Sequence, residues 1–177
     1  VSDDEDDDYL PTDNFLGYFE ERETSRIITV PMDEDFIQPS YYRNVVNKLA
    51  YLTERDTVIF RLTSEGGYYD GLVTLLVAIA DTEATVIADV VGRCHSAASF
   101  LALSCPNIRV SPYAEMMIHF IRFGTGGKAA DLQVHVNHAV AEATRVFKQT
   151  YKYFLTEEEI QSCLEGKEIW MDSTEIN

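Results

Sequence analysis

The chain is poor in basic residues, and this limits what it can bind. Its 14 lysines and arginines stand against 30 aspartates and glutamates, which gives a formal net charge of −16. So acidic a chain is not expected to bind nucleic acid, because the phosphate backbone is itself negative. The acidic run at residues 3–8 repels itself and buries nothing. We therefore predict a disordered acidic tail over residues 1–24, without the basic start of a secretory signal.

Cysteines and long apolar runs are also scarce. The three cysteines, Cys94, Cys105 and Cys163, are widely spaced and odd in number, so the sequence predicts neither a disulfide framework nor a metal site. The longest nearly uninterrupted apolar segment, residues 72–80, is too short to span a bilayer. We expect a cytoplasmic protein with reduced thiols, no membrane contact and no cofactor.

What the chain does have is enough apolar sequence for one sizeable core. It is 177 residues long and 46% apolar, and we assign residues 25–177 to one domain. Strand-like and helix-like periodicities alternate along it, which predicts an α/β fold with crossover connections. The predicted strands are residues 26–30, 57–62, 85–91, 107–110 and 116–120, and the predicted helices are residues 40–52, 71–80, 96–104 and 129–154, with a further helix beginning at Thr156.

The longest predicted helix exceeds what its own domain can cover. At a rise of 1.5 Å per residue, residues 129–154 would extend roughly 39 Å. Apolar residues recur every three or four positions down one face, from Val136 to Tyr151. We expect part of this stripe, with Val140 and Phe147 as the positions to test, to contact another subunit.

The stretch from Gly92 to Phe100 contains the best candidate for a nucleophile, Ser99. Small residues before this serine allow a sharp turn from a strand into a helix, and the free N–H groups at a helix start can hold an oxyanion. A serine hydroxyl also needs a base and a group that orients the base. His119 and then Glu168 follow in chain order. Together these three residues predict a serine hydrolase.

Each assignment has a rival nearby in the sequence. Ser96 lies close to Ser99 and is interpreted as a packing or capping residue. His95 is a second candidate base, and Asp172 is a second candidate for the orienting acid. The glycines of Ser64-Glu65-Gly66-Gly67 directly follow a predicted strand and offer another backbone N–H for an oxyanion.

The order of these motifs resembles a known family. Ser-x-Gly-Gly, a Gly-Leu helix, Ser-Ala-Ala-Ser, Met-Ile-His, a glycine-rich segment and a long helix follow one another as in the Clp-type serine peptidases (ClpP), over residues 25–176. The resemblance implies a ClpP/crotonase-like spiral of β-β-α units with a protruding long helix. It matches Ser99 to the nucleophile, His119 to the general base and Glu168 to the triad acid. It also matches Gly67 and Phe100 to the backbone donors of the oxyanion hole.

The departures from the family pattern are informative. Glu65 stands where the family has proline, which removes a rigid residue. The spacing from Gly92 to Ser99 and the pair Glu168-x-Trp170 are similar to the phage and prophage branch, whose members are associated with head maturation. Gly166-Lys167 replaces the charged pair that couples two rings in the family.

The preferred hypothesis is a serine endopeptidase that forms an acyl-enzyme on Ser99 with His119 as general base. The resemblance implies a heptamer-like ring that cuts unfolded, capsid or scaffold polypeptides. It also implies a partner that is either a AAA+ unfoldase or a phage capsid or scaffold protein, and the host cytoplasm for a phage-encoded chain. A catalytically silent ring subunit and a crotonase-like acyl-thioester enzyme remain as alternatives.

Overall fold

The computed structural model describes residues 24–176, with a six-stranded sheet at its centre. The strands are β1 (Ile27–Met32), β2 (Thr57–Ser64), β3 (Thr85–His95), β4 (Asn107–Val110), β5 (Glu115–Ile118) and β6 (Ile169–Asp172). The helices are α1 (Arg43–Leu49), α2 (Tyr69–Asp81), α3 (Ala97–Ser104), α4 (Ala129–Tyr151), α5 (Glu157–Leu164) and α6 (Ser173–Ile176), with a 3-10 turn at Pro39–Tyr42 before α1.

The α/β fold predicted from the sequence is confirmed, with differences at several element ends. β3 continues beyond residue 91 to His95, and β5 ends at Ile118, so His119 lies just past its strand. α4 ends at Tyr151 rather than at residue 154. The sequence pattern does not predict β6. The acidic tail predicted for residues 1–24 falls almost wholly outside the described residues.

The sheet topology brings the ends of three strands together. The order is β1-β2-β3-β5-β6, with β4 also paired to β3. β3 is long enough to pair with two strands in succession: its middle runs parallel to β4, and its last residues, Arg93–His95, run parallel to β5. β6 is antiparallel to β5, with Ile169 opposite Ile118. The carboxyl ends of β2, β3 and β5 therefore lie at one edge, where parallel sheets commonly place a site.

The core lies between this sheet and helices α2 and α3. Val58, Phe60 and Leu62 alternate along β2 and are fully buried, as expected for a strand with one face on the core. α3 is buried from Ala97 to Ala102, because a helix that is apolar on all sides has no face for water. The start of α3 is consequently held in place by packing on every side.

α4 projects from the body of the molecule. Of its residues only Phe147 and Tyr151 are buried, and Val134 and Val140 are 66% and 39% exposed. The predicted excess of apolar surface is present at Val140. Phe147 instead belongs to the core, where its ring packs against Phe120 and Tyr151, so it is not free to meet another subunit.

Candidate active site

Ser96 occupies a sharp turn between β3 and α3. Its backbone has φ 52° and ψ −118°, and it is the only non-glycine residue with positive φ among residues 24–176. Such a conformation is strained for a residue with a Cβ and persists only where the surrounding structure imposes it. The N–H of Ser96 donates to the Met117 carbonyl at 2.8 Å, which anchors the turn to β5. Its side chain lines a cavity of about 610 Å³.

Ser99, the predicted nucleophile, is placed differently. It lies one turn into α3, is fully buried and does not line the cavity. Its hydroxyl donates to the Ser96 carbonyl at 2.7 Å and lies 2.9 Å from the Tyr151 hydroxyl. A serine hydroxyl has a single proton, so the bond to Tyr151 is donated by the tyrosine. In this arrangement the proton of Ser99 is already donated to a carbonyl, and its side chain is shielded from solvent.

Burial also affects the other nucleophilic or acidic groups near the turn. It raises the pKa of the Cys94 thiol to about 12, which leaves this cysteine protonated and unreactive at neutral pH. It raises the pKa of the Tyr151 phenol as well, so Tyr151 remains a neutral donor to Ser99. Ser96 is the hydroxyl at this turn that lines the cavity and makes no hydrogen bond within the described part of the chain.

The glycine loop after β2 lies directly against Ser96. A Cβ on Gly66 would come within 2.7 Å of the Ser96 Cβ and 3.0 Å of the Ala97 nitrogen. Gly66 and Gly67 have φ of 105° and 131°, which favours glycine at both positions. The N–H of Gly67 makes no hydrogen bond within residues 24–176, and Gly67 lines the cavity with Ser96. Gly67, the predicted oxyanion donor, therefore lines the cavity with its N–H unused by the described residues.

The second predicted oxyanion donor is not available. The N–H of Phe100 donates to the Ser96 carbonyl at 3.2 Å, which is the first hydrogen bond of α3. Phe100, predicted as a donor, thus spends its N–H inside the helix, and the residue lines the cavity. Ala97 is the first residue of α3, and the first N–H groups of a helix have no intrahelical acceptor. Among the described residues, the N–H next to the half-buried Ser96 that has no acceptor is that of Ala97.

His119 lines the same cavity as Ser96 and Gly67. Its Nδ1 lies 2.5 Å from the carbonyl oxygen of Phe120. A carbonyl can only accept, so Nδ1 carries the proton and Nε2 is the basic nitrogen of the neutral ring. This is the tautomer that a base for a serine requires. The Phe120 carbonyl is a functional group that side-chain patterns do not reveal.

Glu168 lies near His119 but is held by other groups. Because Ile169 is opposite Ile118, His119 and Glu168 leave the paired strands at the same end. The Glu168 carboxylate accepts from Arg122 at 2.5 Å and from the Trp170 indole at 3.3 Å. The structure thus places Glu168 at the same strand end as His119, with no hydrogen bond between the two among residues 24–176.

Asp172, the rival acid, lies at the opposite end of β6. Its carboxylate accepts from the hydroxyl and N–H of Thr174 and from the N–H of Glu175. These bonds, with that of the Thr174 hydroxyl the largest, lower the pKa of Asp172 below its usual range. Asp172 caps α6 and lies opposite Glu115 in the sheet, away from His119.

Apolar side chains form the floor of the cavity. They come from α3, α4 and the segment after β5, namely Phe100, Ile121, Phe123, Val146, Phe147 and Tyr151. Asp70 and Arg122 contribute charge among the lining residues. A cavity of this kind accepts an extended apolar side chain while polar groups at its edge orient the attached backbone.

The chain is similar in sequence to a known protein family. The model of the Clp protease family matches residues 20–176. A search of curated proteins found no match.

No helix within residues 24–176 is long and apolar enough to cross a membrane. In the same range, no group of three or more His, Cys, Asp or Glu side chains is arranged to hold a metal.

Proposed function

Because the chain belongs to the Clp protease family, we propose that it is a serine peptidase whose nucleophile is Ser96. One observation carries this assignment: the strained turn at Ser96 shares a cavity with His119 and Gly67. Strained backbone at a cavity is typical of catalytic positions. A serine kept only for packing or capping has no need of such a conformation.

The proposed reaction follows from the groups around the cavity. The Ser96 oxygen attacks the carbonyl carbon of a peptide bond while His119 Nε2 accepts the hydroxyl proton. The N–H groups of Gly67 and Ala97 hold the resulting oxyanion. Protonated His119 then gives its proton to the leaving amine, which leaves an acyl group on Ser96. A water molecule then attacks this ester while His119 accepts a proton from the water. His119 returns the proton to the Ser96 oxygen as the acyl group leaves.

Glu168 is the proposed acid of the triad in the active arrangement. Its place at the end of β6, beside the end of β5, supports this role. In the structure its carboxylate is paired with Arg122, whose side chain is 76% exposed. Exposed ion pairs are weak, so exchanging this partner for His119 costs little. Until that exchange, the Phe120 carbonyl holds the His119 ring in the required tautomer.

We propose that the substrate is a polypeptide with an apolar side chain next to the cut bond, since apolar groups line the cavity floor. Clp family proteins are typically ring oligomers that act on polypeptides, and the projecting α4 with exposed Val134 and Val140 supports assembly here. The proposal also includes a heptamer-like ring, a cytoplasmic location and a domain that begins at residue 25. The proposed partner is a AAA+ unfoldase or a phage capsid or scaffold protein.

Labelling with a fluorophosphonate tests the nucleophile without knowledge of the natural substrate. We expect one adduct, located on Ser96 by peptide mass mapping, which disappears in Ser96→Ala and is strongly reduced in His119→Ala. Ser99→Ala is the matched control. It leaves the buried Tyr151 hydroxyl without its partner, which costs about 1–3 kcal/mol of stability, but it should still label.

An adduct on Ser99, or loss of labelling in Ser99→Ala with the fold intact, would return the nucleophile to Ser99. Complete failure of the intact oligomer to label, while it remains folded, would contradict the peptidase proposal. That result would favour a silent ring subunit or a crotonase-like acyl-thioester enzyme.

A further inference from the structure

A second set of polar residues lies behind the turn that presents Ser96. We call Glu65, Arg93, His95 and Glu115 the histidine cluster. Glu65 Oε2 is 2.8 Å from His95 Nδ1, and Glu65 Oε1 is 2.6 Å from Arg93 Nη1. On the other side of the ring, Glu115 Oε1 is 3.2 Å from His95 Nε2. The imidazole of His95 thus lies between two carboxylates.

His95 is buried, with 3% of its side chain exposed, while both carboxylates reach solvent. Its ring packs edge-on against Trp170 from β6, at 5.1 Å between centroids. Nε2 makes no aligned hydrogen bond within the described residues, although Glu115 is close enough for an ion pair. A neutral imidazole has one N–H and matches one carboxylate, whereas the imidazolium has two and matches both.

The cluster connects the two halves of the proposed oxyanion hole. Glu65 immediately precedes Gly66, which contacts Ser96, and His95 immediately precedes Ser96 itself. The bond from His95 to Glu65 therefore ties the glycine loop to the end of β3, and Glu115 ties the same ring to β5. Hydrogen bonding to His95, followed by the charge of Arg93, lowers the pKa of Glu65 below its usual range, so this carboxylate is ionised at neutral pH.

We propose that Glu65 and His95 are positioning residues that fix the Gly67 N–H relative to Ser96. This inference rests on the proposed peptidase function. Neither residue lines the cavity, so they act through the backbone of the glycine loop and of the turn. The contact of Glu65 with His95 stiffens the glycine loop, as the ring of a proline would at this position.

The variants Glu65→Gln and His95→Gln test the proposal in peptide hydrolysis. Each should lower kcat by about 10- to 100-fold, as expected for a sub-ångström displacement at a catalytic site, with KM little changed. The double variant should be no slower than the slower single variant, because both break the same link. Glu83→Gln removes an exposed carboxylate in the turn between α2 and β3 and serves as the charge-matched control. Unchanged kcat in Glu65→Gln, or fully additive losses, would overturn the proposal.

A readout independent of activity uses the ring nitrogens of His95 in the Ser96→Ala oligomer. We expect the ¹⁵N NMR signals of the His95 ring, assigned by their loss in His95→Gln, to shift in Glu65→Gln. Signals that are insensitive to Glu65→Gln would contradict the proposal. If the wild-type protein fails to label with fluorophosphonate but the His95 signals respond to Glu65→Gln, the peptidase function fails while the cluster stands.

Discussion

The contact between Gly66 and the Ser96 turn allows a sharp test of how the site is built. In Gly66→Ala, the new Cβ would lie 2.7 Å from the Ser96 Cβ, 2.8 Å from the His95 carbonyl oxygen and 3.0 Å from the Ala97 nitrogen. Ordinary contacts of this kind begin at 3.4 Å, so the glycine loop and the turn must separate by about 0.7 Å. Two of the three contacted groups are backbone atoms, which cannot turn aside as a flexible side chain can.

The size of the effect follows from this displacement. A misplacement of about 1 Å at a catalytic site can cost about 100-fold in rate, and loss of an oxyanion donor costs about 100- to 1000-fold. We therefore expect kcat/KM for peptide hydrolysis to fall about 100-fold. The φ of 105° at Gly66 adds backbone strain of about 1–3 kcal/mol. For a chain of this size that strain lowers Tm by about 2–12 °C.

The assay is the rate of fluorophosphonate labelling together with a thermal melt. Gly126→Ala is the matched control, because a Cβ there meets nothing within 4 Å, and it should match the wild type in labelling rate. Gly92→Ala is an intermediate case, since its Cβ would meet only the Thr63 side chain, at 3.2 Å. A folded Gly66→Ala protein that labels at the wild-type rate would refute the inference that this contact sets the oxyanion hole.

Three further predictions concern the acid, the assembly and the stability. Glu168→Gln should lower kcat by about 10²–10⁴-fold and Asp172→Asn should not, as measured by peptide hydrolysis; the reverse ranking would make Asp172 the acid. Val140→Glu should reduce the oligomer size seen by light scattering, because Val140 is exposed on the projecting part of α4; an unchanged size would exclude this face from the interface. The hydrogen bond from Arg26 holds the pKa of Asp56 below its usual range, so the stability from this pair is present above the ordinary pKa of about 4 and is lost as pH falls towards the folded value. Asp56→Asn should therefore lower stability at neutral pH and reduce its acid dependence in urea unfolding; an acid dependence identical to the wild type would contradict this.

Much of the fold follows from local patterns. The apolar alternation in β2, the buried character of α2 and α3, and the capping box of Thr156 with Glu159 at the start of α5 are all readable because each depends on residues close in sequence. β6 is not readable in this way. It has four residues, none of them buried, and it forms because β5 offers an edge for antiparallel pairing.

The candidate site, like the fold, can be predicted only in part from the sequence. The sequence alone places a serine turn after one strand, a glycine pair after another and a histidine after a third, since motifs and their order are properties of the chain. It cannot choose between Ser96 and Ser99, because both belong to one short motif and either could begin or cap a helix.

The proposed choice of Ser96 rests on tertiary structure. Packing of the glycine loop against the turn holds Ser96 at positive φ beside the cavity, whereas Tyr151, distant in sequence, approaches Ser99 and covers it. The contact of Glu65 with His95 likewise joins the glycine loop after β2 to the end of β3, although α2 separates them in sequence. Such contacts arise from the sheet topology, which sets the distance between residues that the sequence keeps apart.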